Sequence, residues 1–249
     1  MSMRPIQKLG AALFATASLA ATTARAGVTA TPQEAAINGI WKLATPGFKE
    51  LKTVDGKAPP LNALGRKLYE AHKAQLAKGD DSFDLSGERC KPMGFPRVLW
   101  DGGPFDMQVL TGQQVFQGYT FNRNHRLFVT WSDQLPTLQI PRYYGTSAAH
   151  WEGSTLIVNS GLYNSNQLLD KSGLPVSNDL RLVERYIPQD GGKRMQVRLT
   201  IDDKTYYTRP WQASVTLERV PDGRIDEDVC ELRSPFYLKL MPRSAAAGG

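Results

Sequence analysis

Cysteine and histidine are scarce: the 249 residues hold two of the first and three of the second. Structural zinc sites need four ligands at short spacing, and Cys90 and Cys230 stand 140 residues apart with no further ligand nearby. Glycine, at 22, and proline, at 16, fall short of a collagen-like or low-complexity chain. Beyond residue 26 no uncharged apolar run approaches the ~20 residues of a membrane-spanning helix, which excludes a channel or transporter. No run of five basic residues occurs, so the clustered basic face of a nucleic-acid binder is missing. There is no G-x-S-x-G elbow, G-x-G-x-x-G loop or P-loop. Asp202-Asp203 and Asp226-Glu227-Asp228 lack the alternating spacing of a calcium loop. The expectation is a protein with no cofactor and no metal.

What is present begins with an address. Arg4 and Lys8 precede an apolar stretch, Leu9 to Thr23, and Ala24-Arg25-Ala26 reads as a cleavage site. Residues 1–26 therefore read as a secretory signal peptide cleaved after Ala26, sending the chain to the periplasm or outside. Its removal takes Arg4, Lys8 and Arg25 and lowers the formal charge from +6 to +3. In an exported chain an even cysteine count points to a Cys90–Cys230 disulfide, with two separate thiols as the alternative. Such a closure contributes ~4–5 kcal/mol on the chain-entropy model.

The mature chain divides into a polar segment over 27–56, a helix and barrel over 57–240, and a flexible tail over 241–249. Gly39-Ile40-Trp41 resembles the opening of lipocalin-type barrels, where the Trp plugs the floor; Trp41 is expected buried beside a cation, with Arg233 the candidate. One helix is expected within Lys57 to Lys78, capped by Asn62, stopped at Gly79, with Leu61, Leu64, Leu68, Ala71 and Leu76 on its apolar face. From Asp106 the apolar period becomes two. Strands are expected at Met107–Leu110, Val115–Phe121, His125–Trp131, Ser154–Ser160, Leu180–Ile187, Met195–Ile201, Trp211–Val220 and Ile225–Leu232, separated by hairpin turns. The fold class is thus mainly β: a single antiparallel lipocalin-like β-barrel with one N-terminal helix.

Strand parity supplies candidate site residues. Leu180, Leu182, Glu184 and Tyr186 share a face, so Glu184 points inward among apolar neighbours. A buried carboxylate must be paired, hydrogen-bonded or shifted in pKa. Glu184 is therefore a general base, an anchor for a ligand hydroxyl, or half of an ion pair with Arg142, Arg209 or Arg233. The densest polar-aromatic cluster runs from Pro141 to Trp151. Arg142, Tyr143, Tyr144 and Thr146 in it could orient a small oxygenated ligand. His150 is a candidate acid or base, or else an exposed hairpin shoulder. Tyr163 and Asn164 follow the next strand and are placed at the same mouth, with Tyr186 and Trp211 as further ligand contacts.

Several segments together resemble a family of exported bacterial proteins. They are Pro59 to Gly79, the loop Cys90-Lys-Pro-Met-Gly-Phe-Pro96, and Gly145-Thr-Ser-Ala-Ala-His-Trp-Glu-Gly-Ser-Thr-Leu-Ile-Val158. Further matches are Gly173-Leu-Pro175 with Ser177, Glu184-Arg-Tyr186, Thr208-Arg-Pro-Trp211 and the Cys230 segment. The resemblance implies a lipocalin-like barrel and supports the Cys90–Cys230 pairing, and it implies no activity. The chain departs from the family's polar positions at Thr146, His150 and Val176.

Two functions follow. In one, the barrel transforms a small amphiphilic, aromatic or terpenoid-like molecule by cofactor-free lyase or isomerase chemistry. Glu184 or His150 is then the base, Arg142 stabilises developing negative charge, and Tyr144 donates a hydrogen bond. In the other, the same residues only hold the molecule, as in a carrier. An ion pair on Glu184 within the barrel wall favours the carrier.

Overall fold

In the computed structural model, the described residues are 30–45, 50–110, 113–137 and 140–232, with Ser234, Tyr237 and Lys239. The expected signal peptide, Arg233 and the tail lie outside them. Nine strands close into one barrel in sequence order. They are β1 (Gly39–Leu43), β2 (Phe105–Leu110), β3 (Gln114–Tyr119), β4 (His125–Val129), β5 (Thr146–Glu152), β6 (Thr155–Gly161), β7 (Arg181–Gln189), β8 (Arg194–Asp202) and β9 (Trp211–Arg219). The fold is mainly β, as expected.

The wall from β5 to β9 is regular. β7 and β8 pair from Arg181↔Asp202 to Gln189↔Arg194, and β8 and β9 from Arg194↔Glu218 to Ile201↔Trp211. Met195, Val197, Leu199 and Ile201 point inward with Ala213, Val215 and Leu217 and are buried, while their neighbours face outward, the period-two arrangement of a one-sided sheet. β1 closes the barrel by pairing with both β2 and β9.

Three expectations are corrected. The barrel is not wholly antiparallel: β4 and β5 run parallel and share one bridge, Val129↔Ala148. Residues 130–145 carry the chain back along the barrel before β5 starts, which is what a parallel neighbour requires. Second, β5 lies in the polar-aromatic cluster, where no strand is expected, whereas residues 225–229 form no strand and Cys230–Leu232 is a single 3₁₀ turn. Third, there is more than one helix. The segment before β1 holds α1 (Pro32–Ile37), started by a capping box in which Thr31 and Glu34 satisfy each other's backbone N–H.

The expected helix is α2 (Ala63–Leu76), and Asn62 caps it by accepting from the Gly65 N–H at 2.9 Å. Its buried face keeps only part of the expected stripe: Leu61 is buried and Leu68 and Leu76 half-buried, but Leu64 and Ala71 are exposed, and within the helix Gly65 and Tyr69 are the buried positions. A Cβ at Gly65 would meet the Tyr206 carbonyl oxygen at 2.3 Å, so the close approach of helix to barrel decides the face. Two one-turn helices follow, α3 (Leu85–Glu88) and α4 (Val98–Asp101). Around them Arg97 is buried between Asp84 at 2.6 Å and Asp101 at 2.8 Å.

Trp41 is fully buried at the barrel floor, donating its indole N–H to the Ile37 carbonyl at 2.8 Å. Among the described residues, the cation beside it is Arg219, with its guanidinium 4.5 Å from the ring centroid. Arg219 also donates to the carbonyls of Ala36, Asn38 and Gly192, which fastens α1 across that end. The Cys90–Cys230 disulfide is formed, with the Cα atoms 5.7 Å apart. No helix among the described residues is long and apolar enough to cross a membrane.

Candidate functional site

β4 inverts the usual pattern. Arg126 is 4% exposed while its neighbour Leu127 is 54% exposed. A guanidinium inside a barrel must find acceptors to offset its lost hydration, and Arg126 finds them on β3, β5, β6 and β7. Its Nη1 donates to Gln117 Oε1 at 3.0 Å and to Glu184 Oε2 at 3.1 Å. Its Nη2 donates to Glu184 Oε1 at 2.8 Å, to Ser147 Oγ at 2.8 Å and to Ser160 Oγ at 3.1 Å. The planar faces are covered too, with Phe95 3.8 Å and Phe128 5.3 Å from the guanidinium carbon.

Parity places Glu184 correctly, since it is fully buried with Leu182 and Tyr186. Its partner is Arg126 and, among the described candidates, neither Arg142 nor Arg209. Beyond the bidentate pair, Ser160 donates to Oε1 at 2.7 Å and Tyr186 to Oε2 at 2.8 Å. Each carboxylate oxygen thus accepts two hydrogen bonds, and its acceptor capacity is filled. The network continues through Gln117, which donates to Tyr186 at 3.1 Å and accepts from the Tyr119 hydroxyl at 2.8 Å. Burial works against the Arg126 charge, but Glu184 outweighs it and raises the guanidinium pKa further. Burial likewise pushes up the hydroxyls of Tyr119, Tyr144, Tyr163 and Tyr186, which stay protonated.

The gap between β4 and β5 opens onto a cavity of about 610 Å³. One side is β4 itself, residues 125–129, with Asn124; the other is 141–147, with Asn164. Gly145 makes the turn into β5 at φ +63°, and a Cβ there would strike both the Gly161 carbonyl and the Tyr163 ring. Of the expected site residues, Arg142, Tyr143, Tyr144, Thr146 and Asn164 line this cavity together. Tyr144 stacks on Tyr119 with centroids 5.5 Å apart, which connects the cavity wall to the interior network. Three buried polar atoms in these walls have no hydrogen-bond partner: Arg126 Nε, Tyr144 Oη and Thr146 Oγ1. All three belong to the two chain edges that share a single bridge.

The remaining candidates lie elsewhere. His150 has the outward parity of β5, with Nδ1 2.5 Å from Asp133 and Nε2 3.4 Å from Glu152. It shares no cavity with Glu184. Tyr163 and Tyr186 are fully buried in the interior, and Trp211 is buried against Tyr207 at 5.5 Å between centroids. Arg126, Gln117, Tyr119, Ser147 and Ser160 escaped the sequence reading. A signal existed for one of them, because Arg126 alternates with Phe128, yet Leu127 and Val129 compete for the inward face. No group of three or more His, Cys, Asp or Glu among the described residues could hold a metal ion.

No family model matches the chain, and no curated protein matches its sequence. Solved structures do. One is a secretory abundant heat soluble protein from Ramazzottius varieornatus, 8% identical, with 74% of this chain and 96% of that one covered and a TM-score of 0.36. Another is the wild-type fluorescent protein UnaG, 14% identical, with 74% and 96% covered and a TM-score of 0.34.

Proposed function

We propose that the protein, exported to an oxidising compartment, holds a small amphiphilic molecule in the β4–β5 cavity without transforming it. One observation carries this reading: the Glu184 carboxylate, the best-placed candidate base, has every acceptor position filled by Arg126, Ser160 and Tyr186. A general base needs a free lone pair within reach of the proton it removes. His150, the other candidate, stands outside on the far parity of β5. Lyase or isomerase chemistry is thus left without its base, and Arg142 and Tyr144 without a reaction to assist. They retain a binding role. The unpartnered Arg126 Nε, Tyr144 Oη and Thr146 Oγ1 each cost about 1–3 kcal/mol when buried unpaired, which a ligand's oxygens would offset once the gap admits them.

The amphiphilic fluorophore 8-anilinonaphthalene-1-sulfonate tests it. The expected result is saturable one-to-one binding, weakened about tenfold or more by Thr146→Phe, which fills the cavity, with the melting temperature kept. Absence of saturable binding, or binding indifferent to Thr146→Phe in a folded protein, would overturn the reading.

A further inference from the structure

The charge of the cavity wall is lopsided. Its lining holds Arg126, Arg142 and His125 and no aspartate or glutamate. Arg126 is already matched by Glu184 at 2.8 Å, so it brings no net charge to a ligand. Arg142 is different: no carboxylate among the described residues pairs with its guanidinium, which stands exposed on the rim. Its backbone is nonetheless fixed. The Arg142 N–H donates to the Leu162 carbonyl at 2.9 Å, and its own carbonyl accepts from Asn164 at 2.9 Å and Gly145 at 3.2 Å. The fixed backbone holds the root of this side chain at the edge of an apolar hollow, so the guanidinium's reach is confined to the cavity rim. The hollow supplies the second half of the recognition: Leu127, Phe128, Val129, Pro136 and Pro141 form its apolar lining.

On the footing of the binding reading above, we infer that the ligand is an amphiphile with one anionic head group, a carboxylate or its like, which Arg142 receives at the rim. The apolar body lies along Phe128 and the prolines. Guanidinium and carboxylate match in a planar, bidentate fashion, and charge-assisted hydrogen bonds are the stronger kind. A neutral ligand of the same shape would gain the apolar contacts alone.

Two fluorophores with one skeleton separate these cases: 8-anilinonaphthalene-1-sulfonate, which is anionic, and N-phenyl-1-naphthylamine, which is neutral. The expected result is that the wild-type protein favours the anion by at least about fivefold, the order of a single charge-assisted contact. Raising the salt narrows the preference, since the rim is exposed to counterions. Arg142→Gln brings the ratio towards one, and Arg142→Lys keeps part of it. Binding of both probes with equal affinity, or a preference that survives Arg142→Gln, would overturn the anion inference while the binding reading stands. Binding of neither would overturn both.

Discussion

The wall from β6 to β9 and the gap between β4 and β5 are built from the same kind of chain, yet they differ in almost every structural respect. The wall pairs nine residues of β7 with β8 and eight of β8 with β9, whereas β4 and β5 share one bridge. Inward positions on the wall are mostly aliphatic, with Ser160, Glu184, Tyr186 and Trp211 the buried exceptions; at the gap an arginine is inside and a leucine outside. Three buried polar atoms without a hydrogen-bond partner, Arg126 Nε, Tyr144 Oη and Thr146 Oγ1, lie on its two edges, and the wall holds one such atom on β9, Trp211 Nε1. A barrel with a packed interior has little room for a ligand at its centre. The cavity lies instead where β4 and β5 share a single bridge, and regular pairing elsewhere keeps that opening from spreading.

The largest effect should come from breaking the one polar device that ties the two regions together. Glu184→Gln leaves Arg126 buried without its counter-charge, and removing one partner of a buried pair costs ~3–5 kcal/mol. The same measurement on Leu127→Ser, a gap residue that is already exposed, should move stability by about 0.5 kcal/mol or less. Thermal and denaturant melts of the two variants check the contrast. Equal effects would mean that gap and wall are one cooperative unit with no division of labour.

A smaller effect concerns the segment that lays Phe95 on the Arg126 guanidinium. Burial acts to raise the Asp84 pKa, but the hydrogen bond and charge of Arg97 outweigh it, and the carboxyl ends below its ordinary value. A depressed folded-state pKa means that ionised Asp84 stabilises the fold at pH values above about 4, its unfolded value. That contribution is lost as the pH falls below about 4, through the lower folded-state value. The stability gap between the wild type and Asp84→Asn should therefore be widest near neutrality, ~1–3 kcal/mol, and shrink on acidification. A gap independent of pH would place the stabilisation outside the charge.

The legible parts of the sequence are those where one physical rule acted alone. Strand parity along 180–187 put Glu184 inside, the Asn62 cap fixed the start of α2, and Gly-x-Trp placed Trp41 at the floor. Rules in competition hid the rest. On α2 the expected stripe runs through Leu64 and Ala71, but the closeness required at Gly65 turns the helix so that Gly65 and Tyr69 are buried and those two are exposed. Along β5, Ala148 and Ala149 are both small and both buried, so no alternation betrays a strand. In β4 the apolar residues at 127 and 129 claim the inward face that Arg126 and Phe128 occupy. Arg126 could be located only once four neighbouring strands had brought Gln117, Ser147, Ser160 and Glu184 around it. The candidate ligand contacts were read from composition, and Arg142, Tyr143, Tyr144, Thr146 and Asn164 do share one cavity; the candidate base was read from parity, which reports direction and not partners.

Amide hydrogen exchange with and without 8-anilinonaphthalene-1-sulfonate tests the division between wall and gap most directly. In the free protein, amides of residues 125–129 and 143–147 should exchange faster than those of 182–186 and 195–201, since local opening follows sparse pairing. Added fluorophore should slow exchange at 125–129 and 143–147 and leave the wall unchanged. Protection that appears instead across β7 and β8, or fast exchange there in the free protein, would contradict the account.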